Sequence, residues 1–175
     1  MVPDGEVAHD QVPQDQDESR QWPAKVLTVS DGVAGGRRKD HSGAAIAERL
    51  TVAGFDVVER GVVPDGAVSV ASTLRQMAQD FVGLIVTTGG TGFSPRDLTP
   101  EGTRAAMGRE APGLAEAMRL VNPLGRLSRG LAGTVGKALV LNTPGSTKGS
   151  VECLEAVLDV IPHALDLLDD GHPHD

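Results

Sequence analysis

The stretch "TTGGTGFSPRD", residues 87–97, gathers groups that handle anions and cations into one short loop. Gly89, Gly90 and Gly92 let the backbone turn tightly, so that successive N–H groups can converge on an anion. Thr87, Thr88, Thr91, Ser94 and Arg96 add side-chain donors around them. The plain alternative is a glycine turn joining a strand to a helix, but the hydroxyls and the arginine make phosphate binding the better reading. Two common phosphate motifs are excluded. Pro95 stands where G-x-G-x-x-G needs its third glycine, and no Lys-Ser/Thr pair follows the glycines as in a P-loop.

Asp97 closes the loop. Thr99 in front of Pro100 reads as the cap of the next helix, which leaves the Asp97 carboxylate without a capping duty. A carboxylate in an anion-receptive loop points to a cation, and Mg²⁺ is commonly held by one or two carboxylates together with substrate phosphates. "TPGSTKGS", residues 143–150, repeats the pattern. Pro144-Gly145 makes the turn, Ser146 or Thr147 caps, and Lys148 sits where a helix N-terminus receives an anion; a solvated lysine is the equal alternative. Asp65 in "VPDGA" ends a strand before a helix, so N-capping explains it as well as chemistry does. Asp31 and Asp40 read equally as turn residues. His41 and His163 have no ligand spacing in the body of the chain, which argues against zinc or iron. Cys153 falls inside a helical pattern as a small hydrophobe.

The elements that must position these loops are legible as alternating strands and helices. "KVLTVS" (25–30), "FDVVERGVV" (55–63) and "VGLIVTT" (82–88) read as strands, the last buried on both faces. "LAGTVGKALVLN" (131–142) reads as a hairpin closing into a second buried strand. Ile46, Leu50 and Ala53 mark one helix, stopped at Gly54. Ala67, Ala71, Leu74, Ala78 and Phe81 mark another. Helical stretches run from Thr99 to about Asn122, broken near Ala111-Pro112-Gly113. A final helix is expected from Val151, Leu154, Leu158 and Ile161, ending near Leu168. The fold class is α/β, three-layer α/β/α, with a mostly parallel Rossmann-like sheet.

At 175 residues the chain suits one domain with a real core. Its charge is −8, and residues 1–21 hold six acids against Arg20 alone, leaving −3 for the rest. Residues 1–22 therefore read as a disordered acidic tail, 23–170 as the domain, and 171–175 as a flexible C-terminus. No basic face favours duplex nucleic acid, and no apolar run reaches membrane-span length. The N-terminus has no secretory pattern, and the lone Cys153 fits a reducing compartment, so a cytoplasmic location is expected. Four aromatic residues disfavour base stacking.

"VTTGGTGFSPRDLTPEGT", with "VPD" upstream and "LNTPGSTKGSVECL" downstream, resembles the MogA/MoaB family of molybdenum cofactor biosynthesis across about Val26–Leu168. The resemblance implies a homotrimer or hexamer that adenylylates molybdopterin. The ligand's terminal phosphate attacks the α-phosphorus of ATP, and pyrophosphate leaves. It places the catalytic acids on Asp65 and Asp97, with Mg²⁺ on Asp97 and Asp65 as its companion. It puts pterin and nucleotide binding on Ser30, Asp31, Thr88, Gly89, Gly90, Thr91, Gly92, Ser94, Arg96, Pro144, Gly145, Ser146 and Lys148. A molybdenum insertase is the implied downstream partner. One departure stands out: the family's first turn commonly reads Ser-Asp-Arg, whereas this chain has Ser30-Asp31-Gly32, so that arginine's role is lost or passes to Arg37 or Arg38. A non-catalytic molybdopterin-binding paralogue is the alternative. Pterin chemistry of the carbinolamine dehydratase kind would want clustered histidines, which are missing.

Overall fold

A computed structural model describes residues 20–170. Among these residues six strands form one sheet, in the order β2-β1-β3-β6-β5-β4. β1 (Pro23–Val29), β2 (Asp56–Val63), β3 (Gly83–Thr88) and β6 (Ala138–Thr143) run parallel, and β5 (Ala132–Val135) and β4 (Arg109–Glu110) add an antiparallel edge. β1, β2, β3, β5 and β6 lie where their hydrophobic runs predict. β3 and β6 are buried at every position, as central strands covered on both faces must be.

Alternation along β1 divides the core. Ala24 and Val26 face one layer with Leu84, Val86 and Leu141, covered by α2 (His41–Val52), α5 (Pro112–Leu120), α6 (Thr147–Glu155) and α7 (Ile161–Asp170). Leu27 and Val29 face the other with Ile85 and Val140, covered by α3 (Ala67–Ala78), with Ala106 of α4 (Thr99–Ala106) packed at its margin. The result is the expected three-layer α/β/α arrangement.

Four local readings need correction. The last helix is two: α6 ends at Glu155 and α7 restarts at Ile161. Pro162 has no N–H to offer a preceding turn, and its ring would strike the carbonyl four residues back, so the helix breaks ahead of it. Val157 and Leu158 nonetheless keep the apolar period across the break. A one-turn helix, α1 (Asp31–Ala34), and the two-residue edge strand β4 carry too few residues to show a period. Trp22, assigned to the tail, is buried, and its backbone carbonyl accepts the Asp56 N–H. Arg20 lies over its ring and pairs with Asp169. The rest of the acidic stretch, residues 1–19, and residues 171–175 lie outside the described residues.

Candidate active site

The chain leaves β1 toward β2 on one side and then returns across to β3 on the other. The sheet therefore reverses its winding between β1 and β3, where open α/β sheets leave a crevice beyond the strand ends. Four loops meet there: those after β1, β2, β3 and β6. They line two adjoining cavities of about 470 and 520 Å³ that share Gly90, Asp97, Gly145 and Ser146. Both are of a size that holds a small ligand. The first has an apolar side from Met118, Val121, Leu124 and Leu127, with Lys148 at its rim. The second is polar and contains Ser30, Thr88, Asp65, Arg38 and Lys39.

The glycines are there for geometry. Gly89 (φ +102°) and Gly90 (φ +68°) occupy left-handed backbone that other residues avoid. A Cβ on Gly89 would run into the Val29 carbonyl, and one on Gly90 into the Thr99 hydroxyl. The Gly90 position lies 3.2 Å from Asp65 Oδ1, and the Gly92 position lies 2.9 Å from Asp97 Oδ2. The two carboxylates thus flank the same short piece of backbone, although 32 residues separate them.

Neither acid is a helix cap. Gly66 occupies the N-cap of α3 with no side-chain bond, so the capping alternative for Asp65 falls. Asp65 Oδ2 instead accepts the Asp31 N–H at 2.8 Å, and Asp31 Oδ1 accepts the Asp65 N–H at 3.1 Å. The expectation for Asp97 also needs correction, because its Oδ2 accepts the Ser94 N–H at 2.9 Å, a turn-forming duty. Thr99 does not cap either. It is the first residue of α4, and its hydroxyl is buried, donating to the Gly89 carbonyl at 2.9 Å. Each acid keeps its Oδ1 without a hydrogen bond among the described residues. These are hard oxygen donors of the kind Mg²⁺ takes. No cluster of three or more His, Cys, Asp or Glu residues of metal-binding type occurs among the described residues, so such an ion would draw its other ligands from phosphate and water.

Several expected ligand-binding groups carry structural bonds. Arg96 donates Nη2 to Asp31 Oδ1 (3.0 Å) and to the Asp65 carbonyl (2.8 Å), and its Nε to Asp31 Oδ2. This guanidinium holds the Asp31 carboxyl below the usual carboxylate range, and the pairing raises Arg96 in turn. Arg96 and Asp31 therefore tether three loops to one another. Ser30 and Ser146 cap α1 and α6 through the N–H groups of Val33 and Gly149. Thr88 donates to the Pro144 carbonyl, and Gly145 packs against Gly89, which brings the loops after β3 and β6 together. Lys148 stands mostly in solvent with a loose contact to Glu152 at 3.7 Å. Replacing it with alanine is expected to weaken ligand binding about tenfold, the scale of a charge-assisted bond. Stability should stay within about 0.5 kcal/mol. Isothermal titration paired with thermal melting checks both, and unchanged affinity would return Lys148 to solvent.

Arg129 carries no mark of its role in the sequence. Its backbone N–H donates to the Thr91 carbonyl, its Nε to the Gly92 carbonyl (2.8 Å) and its Nη2 to the Asp97 carbonyl, and its Nη1 pairs with Glu101. The strut fixes the glycine loop from outside. Locally it is one arginine in a loop, 32 residues from Asp97. Cys153 lines the apolar cavity and donates to the Met118 carbonyl; burial, helped by Glu152, pushes its thiol up to about 11.

A mostly parallel sheet with its switch point beneath a glycine loop, flanked by two half-committed carboxylates, defines an α/β domain with a ligand-sized cleft at the switch point. The chain belongs to the MogA/MoaB family of molybdenum cofactor biosynthesis, matching the domain described as "Probable molybdopterin binding domain" over residues 25–163. It is 39% identical over 150 residues to the molybdopterin adenylyltransferase of Helicobacter pylori strain J99, covering 82% of this chain and 85% of that protein. It is 38% identical over 152 residues to the molybdenum cofactor synthesis protein cinnamon of Drosophila melanogaster, covering 83% of this chain. That match spans only 25% of the fly protein's length. The crystal structure of the molybdopterin biosynthesis enzyme MoaB from Thermus thermophilus superposes with a TM-score of 0.81 at 47% identity, covering 89% of this chain and all of that one. No helix among the described residues is long and apolar enough to cross a membrane.

Proposed function

We propose that this protein is a molybdopterin adenylyltransferase that uses ATP and Mg²⁺ and assembles as a homotrimer, or a multiple of one, in the cytoplasm. The observation that carries the activity is the placement of Asp65 and Asp97 on either side of the Gly90–Gly92 backbone, each with an unengaged carboxylate oxygen at the shared cleft. Its relatives named for that activity support it.

In the reaction an oxygen of the molybdopterin phosphate bonds to the α-phosphorus of ATP, and the bond from that phosphorus to the bridging β-oxygen breaks. Pyrophosphate carries the electron pair away. The attacking phosphate is already ionised, so no general base is required. His41 lines the polar cavity, and this reaction gives it no proton to take. What the protein must supply is alignment and charge compensation. The apolar side at Met118, Val121, Leu124 and Leu127 suits a flat heterocycle. The glycine loop presents N–H groups to the phosphates. Asp65 and Asp97 would hold Mg²⁺, which offsets the repulsion between two anions. Asp31, Arg96 and Arg129 keep the loops in register.

The paralogue alternative predicts binding without turnover. Wild-type protein should release pyrophosphate only when ATP, Mg²⁺ and molybdopterin are all present. Molybdopterin binding with no such release would make the protein a binding module. A molybdenum insertase is the proposed recipient of the adenylylated product. Light scattering tests the trimer; a monomer at micromolar concentration would refute it.

A further inference from the structure

We infer that Arg38 is a phosphate ligand of the polar cavity, seated there because residue 32 has no side chain. This rests on the adenylyltransferase reading for its substrates. The arginines around the cleft differ in their commitments. Arg96 is bound to Asp31 and Asp65, Arg129 to the glycine loop and Glu101, and Arg37 donates to the Asp31 carbonyl at 3.2 Å. Arg38 lines the polar cavity with Asp65, Asp97 and Lys39, yet it pairs with no carboxylate among the described residues.

Its position is built. The N–H groups of Arg37 and Arg38 both donate to the Gly32 carbonyl, at 2.9 and 3.1 Å, which folds the chain back over α1. The Arg38 stem then lies across Gly32: a Cβ there would be 2.8 Å from Arg38 Cδ and 3.3 Å from Cγ. Gly32 has no left-handed backbone to explain it. It also sits within a helix, where alanine is the better former. Space for the Arg38 stem is what the glycine provides. A guanidinium in a polar cleft whose carboxylates call for a bound cation is suited to phosphate oxygens, which it can grip with two N–H groups at once.

Two variants test this from opposite directions. Arg38→Gln removes the charge, whereas Gly32→Ala keeps it and pushes the side chain aside. Both are expected to raise one substrate KM about tenfold or more, leave kcat within about threefold, and leave the other KM within about twofold, the scale of one charge-assisted contact. A rise for MgATP assigns Arg38 to the nucleotide, and a rise for molybdopterin assigns it to the pterin phosphate. Gly32→Ala should melt at or above the wild-type temperature, so that its defect cannot be unfolding. Wild-type KM values in Arg38→Gln, or an effect on kcat alone, would overturn the proposal. If the wild type releases no pyrophosphate, the adenylyltransferase reading is what fails. Calorimetry with inorganic pyrophosphate and Mg²⁺ then decides on Arg38, with about tenfold weaker binding in Arg38→Gln expected and equal or undetectable binding in both proteins overturning it.

Discussion

Asp97→Asn is expected to abolish most adenylylation, by about two orders of magnitude or more, while molybdopterin still binds. Asparagine keeps the shape of the side chain and an oxygen for the Ser94 N–H, so the turn at residues 94–97 survives. What disappears is the charge beside Gly92. In the bound state that loss removes a repulsion against an anionic ligand, so affinity should hold or improve. In the transition state the same loss weakens the hold on a metal that neutralises negative charge on the transferring phosphate. Interactions stronger in the transition state than in the ground state act on turnover. Parallel binding and single-turnover measurements separate the two effects. A joint loss of binding and rate would mean that Asp97 only folds the loop, and an unchanged rate would remove it from the chemistry.

Gly89→Ala should produce the largest loss of stability of any single methyl group added near the site. The residue has a φ of +102°, and its new Cβ would meet the Val29 carbonyl, a main-chain atom in a central strand that cannot swing away. Backbone strain of about 1–3 kcal/mol and overpacking of about 1–3 kcal/mol together suggest roughly 3 kcal/mol or more. At this chain length that is a fall of roughly 6–12 °C in Tm. Gly36→Ala is the control. Gly36 also has positive φ, at +71°, but nothing lies within 4 Å of its Cβ position, so only the conformational cost of about 1–2 kcal/mol remains. Equal melting temperatures for the two variants would show that the close approach of Gly89 to β1 does not matter.

Legibility followed the range of the interaction. The buried strands and the amphipathic helices α2 and α3 repeat their signal over many residues, so the hydrophobic pattern alone locates them. The glycine loop is legible because a run of Gly and Thr has few other uses. The C-terminal helix reads as one because its apolar period continues through the turn at residues 156–160 and outweighs Pro162, the local stop signal. The roles of Asp31 and Arg96 are out of reach for a different reason. Asp31 meets partners 34 and 65 residues away, and only the strand order brings them together. An arginine in a phosphate-type loop looks the same in sequence whether it faces a ligand or ties down another loop. Arg129 shows the limit most plainly, since all its strut contacts depend on a crossing of chain segments.

The proposed activity is tested most directly by a single-turnover reaction of wild-type protein with molybdopterin, Mg²⁺ and ATP labelled at the α-phosphorus. The predicted result is label recovered on the pterin as adenylyl-molybdopterin, with one pyrophosphate released per label transferred and neither formed when Mg²⁺ is withheld. Bound molybdopterin that remains unlabelled while ATP stays intact would contradict it.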